Sequence, residues 1–143
     1  MKCILSQAQE RHSGISILFD IILLMKQFKT WLELLKTAWE TKNPELATEL
    51  CSDEFIWYET PFKIPITTKR ALLDEWKSVE AHKDIAMTYE ILNYSNNTGI
   101  AKWSAAFKRL PEDIDTHLEG IYLVKLDPQG KCTEFHQWYN SKY

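Results

Sequence analysis

The sequence predicts an α+β fold in which a curved antiparallel sheet wraps round helices as a cone. Three observations lead there. Two amphipathic helical patterns precede an aromatic run, Phe55-Ile56-Trp57-Tyr58-Glu59-Thr60-Pro61. One further helix follows that run, and the remainder alternates as four long strands. The order helix, helix, strand, helix, four strands describes a sheet that encloses a pocket rather than a solid core.

Each element has its own signal. Phe28, Trp31, Leu32, Leu35 and Trp39 recur at helical spacing, with Lys29, Glu33, Lys36 and Glu40 on the other side. Thr41-Lys42-Asn43-Pro44 ends that helix, and Asn43 as N-cap with Pro44 at the first position opens a second helix over 44–50. Ser52-Asp53 breaks the chain before a short strand over 55–60. Pro61 and Pro65 bracket a loop. Thr67 or Thr68 then caps a third helix that buries Leu72, Trp76 and Val79, with His82-Lys83-Asp84 as its exit. Strands follow over 85–95, 100–110, 116–127 and 131–140, separated by Asn96-Asn97-Thr98-Gly99, by 111–115 and by Asp127-Pro128-Gln129-Gly130. Strands of about ten residues exceed the usual five or six and must curve. Gly120, alone among larger residues, marks a bend or bulge.

Alternation assigns the faces. In the third strand Lys102, Ser104 and Lys108 point outward, so Trp103, Ala105 and Phe107 point inward. In the fourth, Leu118, Gly120, Tyr122, Val124 and Leu126 form the inner set. Counting across Pro128-Gln129 pairs Tyr122 with Phe135, which turns Phe135, Gln137 and Tyr139 inward as well. Tyr58 and Thr60 face inward on the first strand, and Glu59 faces away. The opposite face carries His117, Glu119, Ile121, Leu123, Glu134, His136 and Trp138. Ile121, Leu123 and Trp138 are too apolar for an isolated solvent face and predict a homodimer.

Composition bounds the function classes. A chain of 143 residues with 45% hydrophobic residues is one domain that buries a core without disulfides or metals. Six Trp, six Tyr and six Phe supply more ring area than a small core needs, as an aromatic-lined cavity would. The net charge of −3, without a basic stripe, argues against nucleic acid. Three cysteines in no paired spacing read as free thiols of a reducing, cytoplasmic setting. Residues 1–24 read as an N-terminal extension to a single domain over 25–143, with Met25 as the native start. The apolar stretch 15–25, broken by Asp20, is about half the length needed to cross a bilayer and lacks secretory-signal features, so no membrane partner is expected.

Trp57-Tyr58-Glu59-Thr60-Pro61-Phe62, Glu119-Gly120-Ile121-Tyr122 and the ending Gly130-Lys131-Cys132-Thr133-Glu134-Phe135-His136-Gln137-Trp138-Tyr139 resemble the SnoaL-like branch of the nuclear-transport-factor-2-like superfamily. The resemblance runs over about 25–139. It implies an α+β cone, often dimeric through the outer sheet face, with a cavity between sheet and helices. The fold hosts isomerases, cyclases, hydrolases, non-catalytic binders and transport adaptors. Where steroid isomerases of the superfamily place an aspartate base, an oxyanion-stabilising tyrosine and a protonated aspartate, this chain has Thr60, Leu35 and Tyr122. Only Tyr122 retains a donor, so that constellation is absent. No inward strand position carries an aspartate, so the Arg-plus-two-Asp arrangement of related epoxide hydrolases is not evident.

These readings converge on a cofactor-independent protein that holds a small, mostly apolar or aromatic molecule in the cone. Trp76, Trp103, Phe107, Phe135 and Tyr139 are the expected walls, and Tyr58, Thr60, Tyr122 and Gln137 the polar contacts. Tyr122 is the candidate for carbonyl polarisation and Glu59 the candidate proton shuttle. His117, Glu119, Glu134 and His136 invite a metal reading, but the expected pairing sets His136 opposite Ile121 and Glu134 opposite Leu123, so no metal is expected. The alternative function is a dimeric interaction or structural module with a cavity filled by side chains.

Overall fold

The computed structural model describes residues 2–143, with side chains described from Gly14 onward, so that Cys3 lies outside the described side chains. A single long helix, α1 (Lys2–Glu40), opens the chain. It passes through Met25 without interruption. Burial, not helicity, begins in that region: Ile17, Leu18, Phe19, Ile21, Ile22 and Leu23 are exposed, whereas Phe28, Trp31, Leu32, Leu35 and Ala38 are buried at helical spacing. Asn43 Oδ1 accepts from the Leu46 N–H at 3.2 Å and starts α2 (Pro44–Glu49) with Pro44 in its first turn.

β1 (Cys51–Tyr58) begins earlier than the expected 55–60. Ser52-Asp53, which reads as a break, lies inside the strand at an irregularity where the register shifts between Cys51 and Ile56. Thr68, not Thr67, caps α3 (Lys69–Trp76) by accepting from the Ala71 N–H at 3.2 Å. A 3₁₀ turn (Lys77–Ala81) leads into β2 (His82–Ser95), followed by β3 (Thr98–Arg109), β4 (Ile114–Leu126) and β5 (Cys132–Lys142). His82, read from sequence as a helix exit, is therefore the first residue of a strand.

The sheet has five strands in the order β1-β5-β4-β3-β2. β2 to β5 form an antiparallel meander, but β1 runs parallel to β5. The expected wholly antiparallel sheet is thus corrected to a mixed one. β1 cannot pair with a hairpin neighbour because α3 follows it, and the last strand returns alongside it. The pairing brings Cys51 opposite Cys132, both buried and free. Asn96 and Asn97, at φ 50° and 62°, make the tight turn between β2 and β3.

Two other expectations change. Tyr122 pairs with Gln137 and Val124 with Phe135, a slip of two residues from the expected Tyr122–Phe135 pair. A broader turn causes it: Leu126 pairs with Cys132, and Asp127 Oδ1 accepts from the Gln129 and Lys131 N–H groups at 2.9 Å each. A slip of two keeps every side chain on its expected face. The same register sets His136 opposite Leu123 and Glu134 opposite Lys125, replacing the expected opposites. Gly120 marks no bulge, since pairing continues through it on both sides. It allows a close approach: a Cβ there would lie 1.9 Å from the Trp138 carbonyl oxygen.

α1 crosses the concave face and is tied to both margins of the sheet. At the β2 edge Lys36 Nζ donates to the Met87 carbonyl at 2.6 Å, and the Met87 N–H donates to Glu40 Oε2 at 3.0 Å. These bonds satisfy edge groups that would otherwise face water. Near β1, Trp31 Nε1 donates to the Leu50 carbonyl at 3.0 Å. Held at both margins, α1 covers only part of the concave face.

Candidate active site

Between α1, α3 and the concave sheet lies a cavity of about 320 Å³. Leu35 and Trp39 reach it from α1, Trp76 and Val79 from α3 and the turn after it, and Trp103 and Phe107 from β3. Tyr122 reaches it from β4, and Phe135, Gln137 and Tyr139 from β5. The walls are a chain of ring contacts. Trp103 stacks on Tyr122 at 4.8 Å and meets Trp39 edge-on at 5.8 Å, while Phe135 stacks on Trp57 at 3.7 Å. Trp103 is buried, yet its indole N–H makes no hydrogen bond to another described residue.

Seven of the residues expected at the pocket line it: Trp76, Trp103, Phe107, Tyr122, Phe135, Gln137 and Tyr139. Tyr58 and Thr60 do not. β1 has the opposite phase to the expected one, with Phe55 and Trp57 buried and Glu59 turned to the cavity. The aromatic run is apolar on both faces, so alternation cannot choose between them. The choice is made by the stack of Trp57 on Phe135, its register partner in β5. Tyr58 consequently lies on the outer face and stacks on His136 at 4.5 Å.

The reversal puts a carboxyl group among the rings. Trp57 Nε1 donates to Glu59 Oε1 at 2.7 Å, and Gln137 Nε2 donates to Glu59 Oε2 at 2.9 Å. Protein encloses most of the carboxyl, and this burial lifts it above its ordinary range. The Trp57 donor opposes the shift, Glu75 adds to it, and Lys63 and Gln137 oppose it more weakly. Burial, helped by the charge of Glu59, also holds the Tyr122 phenol well above its ordinary range, so it remains a neutral donor.

Sequence reasoning missed the other end of the cavity. His82, Arg109, Ser141 and Tyr143 line it there. His82 stacks on Phe107 at 4.0 Å, and its Nδ1 accepts from Trp39 Nε1 at 3.1 Å. Burial first, then the charges of Arg109 and Lys42, lower the imidazole from 6.5 to about 4. A neutral ring whose Nδ1 accepts must carry its proton on Nε2. Arg109 was legible in principle, because it continues the inward series Trp103, Ala105, Phe107. His82 had no such signal; its position follows from pairing with Arg109 across β2 and β3.

Among the described residues no three His, Cys, Asp or Glu side chains cluster as metal ligands. Nor is any described helix long and apolar enough to cross a membrane.

No protein-family model matches the chain, and no curated protein matches it. Solved structures do. One is SalBIII, an epoxide hydrolase/cyclase-like enzyme with a role in pyran ring formation in the polyether salinomycin: TM-score 0.70, 12% identity, 81% of this chain and 92% of that one covered. A second is a Mycobacterium tuberculosis protein solved in complex with estradiol-17beta-hemisuccinate, at TM-score 0.68 and 12% identity, covering 80% of this chain and 96% of that one. A third is a protein of unknown function from Exiguobacterium sp. 255-15, described as NTF2-like, at TM-score 0.63 and 16% identity, covering 77% of this chain and 98% of that one. Likeness at these identities speaks to architecture alone, and the chain has the cone fold of the nuclear-transport-factor-2-like superfamily.

Proposed function

We propose that the cavity binds a small, mostly apolar or aromatic molecule, and that Glu59 moves a proton on it without a cofactor. One observation carries this reading: a carboxyl group enclosed by aromatic walls, with two neutral N–H donors as its hydrogen-bond partners. Burial favours the acid form and the two donors oppose it, which leaves the carboxyl raised above its ordinary range, toward that of a general acid or base. Tyr122, close enough to feel the charge of Glu59, supplies a neutral hydroxyl for oxygen charge that develops on the substrate. Proton removal at one atom and return at another is common to isomerisation, ring closure and acid/base hydrolysis. The cyclase-like and steroid-bound neighbours of the same fold support a cavity of this use.

The reading extends to assembly. Ile121, Leu123, Tyr58, His136 and Trp138 form an apolar patch on the outer face, with Trp138 43% exposed and stacked on His136 at 5.6 Å. A homodimer through this face covers it. The interaction-module alternative needs a cavity filled by side chains, and the open 320 Å³ weighs against it. Buried free thiols at Cys51 and Cys132 support a reducing, cytoplasmic setting.

Nitrobenzisoxazole tests the proton-transfer reading. A base takes its ring C–H proton, the N–O bond breaks, and a nitrile and a coloured phenolate form. Saturable ring opening is expected, slowed about a hundredfold in Glu59→Gln. Equal rates in the two proteins, both folded by thermal melting, would overturn the role of Glu59.

A further inference from the structure

The β2–β3 end of the cavity has a chemistry that the proton-transfer reading does not use. Arg109 lines the cavity from the last residue of β3, with its guanidinium carbon 5.0 Å from the centre of the Tyr143 ring. Among the described residues no carboxylate lies within ion-pairing distance of it, although its outward-facing neighbour Lys108 is paired with Asp115 at 2.9 Å. Lys36, Lys63, Lys77, Lys102 and Lys125 likewise have carboxylate partners. Tyr143 takes part of the guanidinium's N–H fork, since a hydrogen bond from Ser141, then one from Arg109 and its charge, draw that phenol below its ordinary range. The remaining N–H groups match carboxylate, sulfonate and phosphate oxygens.

His82 reinforces the same polarity. It faces Arg109 as its register partner, and Trp39 occupies its Nδ1, which leaves an N–H donor on the other nitrogen. The carboxylates of the lining belong to the other end. Glu59 is bound to Gln137, and Glu75 to Lys63 at 2.6 Å. Gln137 and Ser141, lining the two ends, are separated along β5 by about 13 Å. An anion at Arg109 therefore avoids Glu59 while its apolar body spans the rings between them.

We infer that the substrate is an organic anion: its charged group sits on Arg109 beside the imidazole N–H of His82, its planar or alicyclic body lies against Trp103 and Phe107, and its reacting end reaches Glu59. This rests on the reading of the cavity as a ligand site. It adds the substrate class and assigns Arg109 as the residue that selects it.

Two fluorescent probes of nearly the same body separate the claims: anilinonaphthalenesulfonate, which carries an anion, and phenylnaphthylamine, which lacks it. The wild-type protein is expected to bind both, with Arg109→Gln weakening the sulfonate about five- to tenfold and leaving the neutral probe unchanged. Arg109→Lys should recover part of the loss, and Lys108→Gln, which alters a cation at the same strand end outside the cavity, should have no effect. If Arg109→Gln weakens neither probe, or both alike, the anion site is wrong and the cavity reading stands. If neither probe enters the wild-type cavity, both readings fail.

Discussion

The two ends of the cavity each hold a titratable group, and burial drives both toward the neutral form with different results. At the β1–β5 end the Glu59 carboxyl is enclosed, and two N–H donors pull against the desolvation that lifts it. At the β2–β3 end His82 is half-buried, and the charges of Arg109 and Lys42 act in the same direction as burial. At Glu59 the influences are opposed, and the net result is a carboxyl raised above its ordinary range. Concurrent influences hold the imidazole in one state and, through Trp39, in one tautomer, so it serves as a fixed donor. Desolvation acts on both groups, and the neighbours mostly oppose it at one end and reinforce it at the other.

The largest disruption of this contrast comes from the wall common to both ends. Trp103 stacks on Tyr122 and meets Trp39, so it links the carboxyl end to the imidazole end. Trp103→Ala is expected to cost about 3–5 kcal/mol in urea unfolding. A loss below about 1 kcal/mol would mean that the two ends do not depend on a shared wall.

The pH dependence of stability sharpens the contrast, because the two groups slope in opposite directions. The folded pKa of Glu59 lies above its ordinary 4.5, so between these values the native chain holds a proton that the unfolded chain has released. Its contribution is complete below 4.5 and is lost as pH rises through the folded value. For His82 the folded value is about 4 against 6.5, so the unfolded chain holds the extra proton in that window. Its contribution is complete above 6.5 and is lost as pH falls toward 4. Relative to wild type, Glu59→Gln should steepen the rise of stability with pH, and His82→Gln should flatten it. The His82 effect should be about 1–2 kcal/mol over its window after discounting for its exposure. Chemical denaturation across that range reads both; parallel curves for all three proteins would remove the assigned environments.

The smallest effect on the cavity should come from the far side of the sheet. Leu123→Lys places a charge on the outer face and is expected to convert a dimer to monomer in light scattering, with phenylnaphthylamine affinity changed less than about twofold. A monomeric wild-type protein would exclude the dimer, and a large loss of affinity would tie the two faces together.

Much of this was legible from residue order. Asn43 caps its helix as expected. Trp103, Phe107, Tyr122, Phe135, Gln137 and Tyr139 reach the cavity because strand side chains alternate, and a register slip of two preserved their faces. Residues at the cavity ends were less legible. Glu59 was expected outward because strict alternation with Tyr58 and Thr60 sent it away from the pocket, and His82 read as the exit of a helix.

The sequence by itself determined the order of elements, the inner faces of β3 to β5 and the aromatic character of the cavity. Each of these follows from local periodicity, which a chain carries wherever it folds. Tertiary structure alone decided the phase and parallel direction of β1, and hence the burial of Glu59. It also decided the meeting of His82 with Trp39 and Arg109. Those outcomes depend on which strand or helix lies alongside, and a segment apolar on both faces has no alternation from which to read its partner.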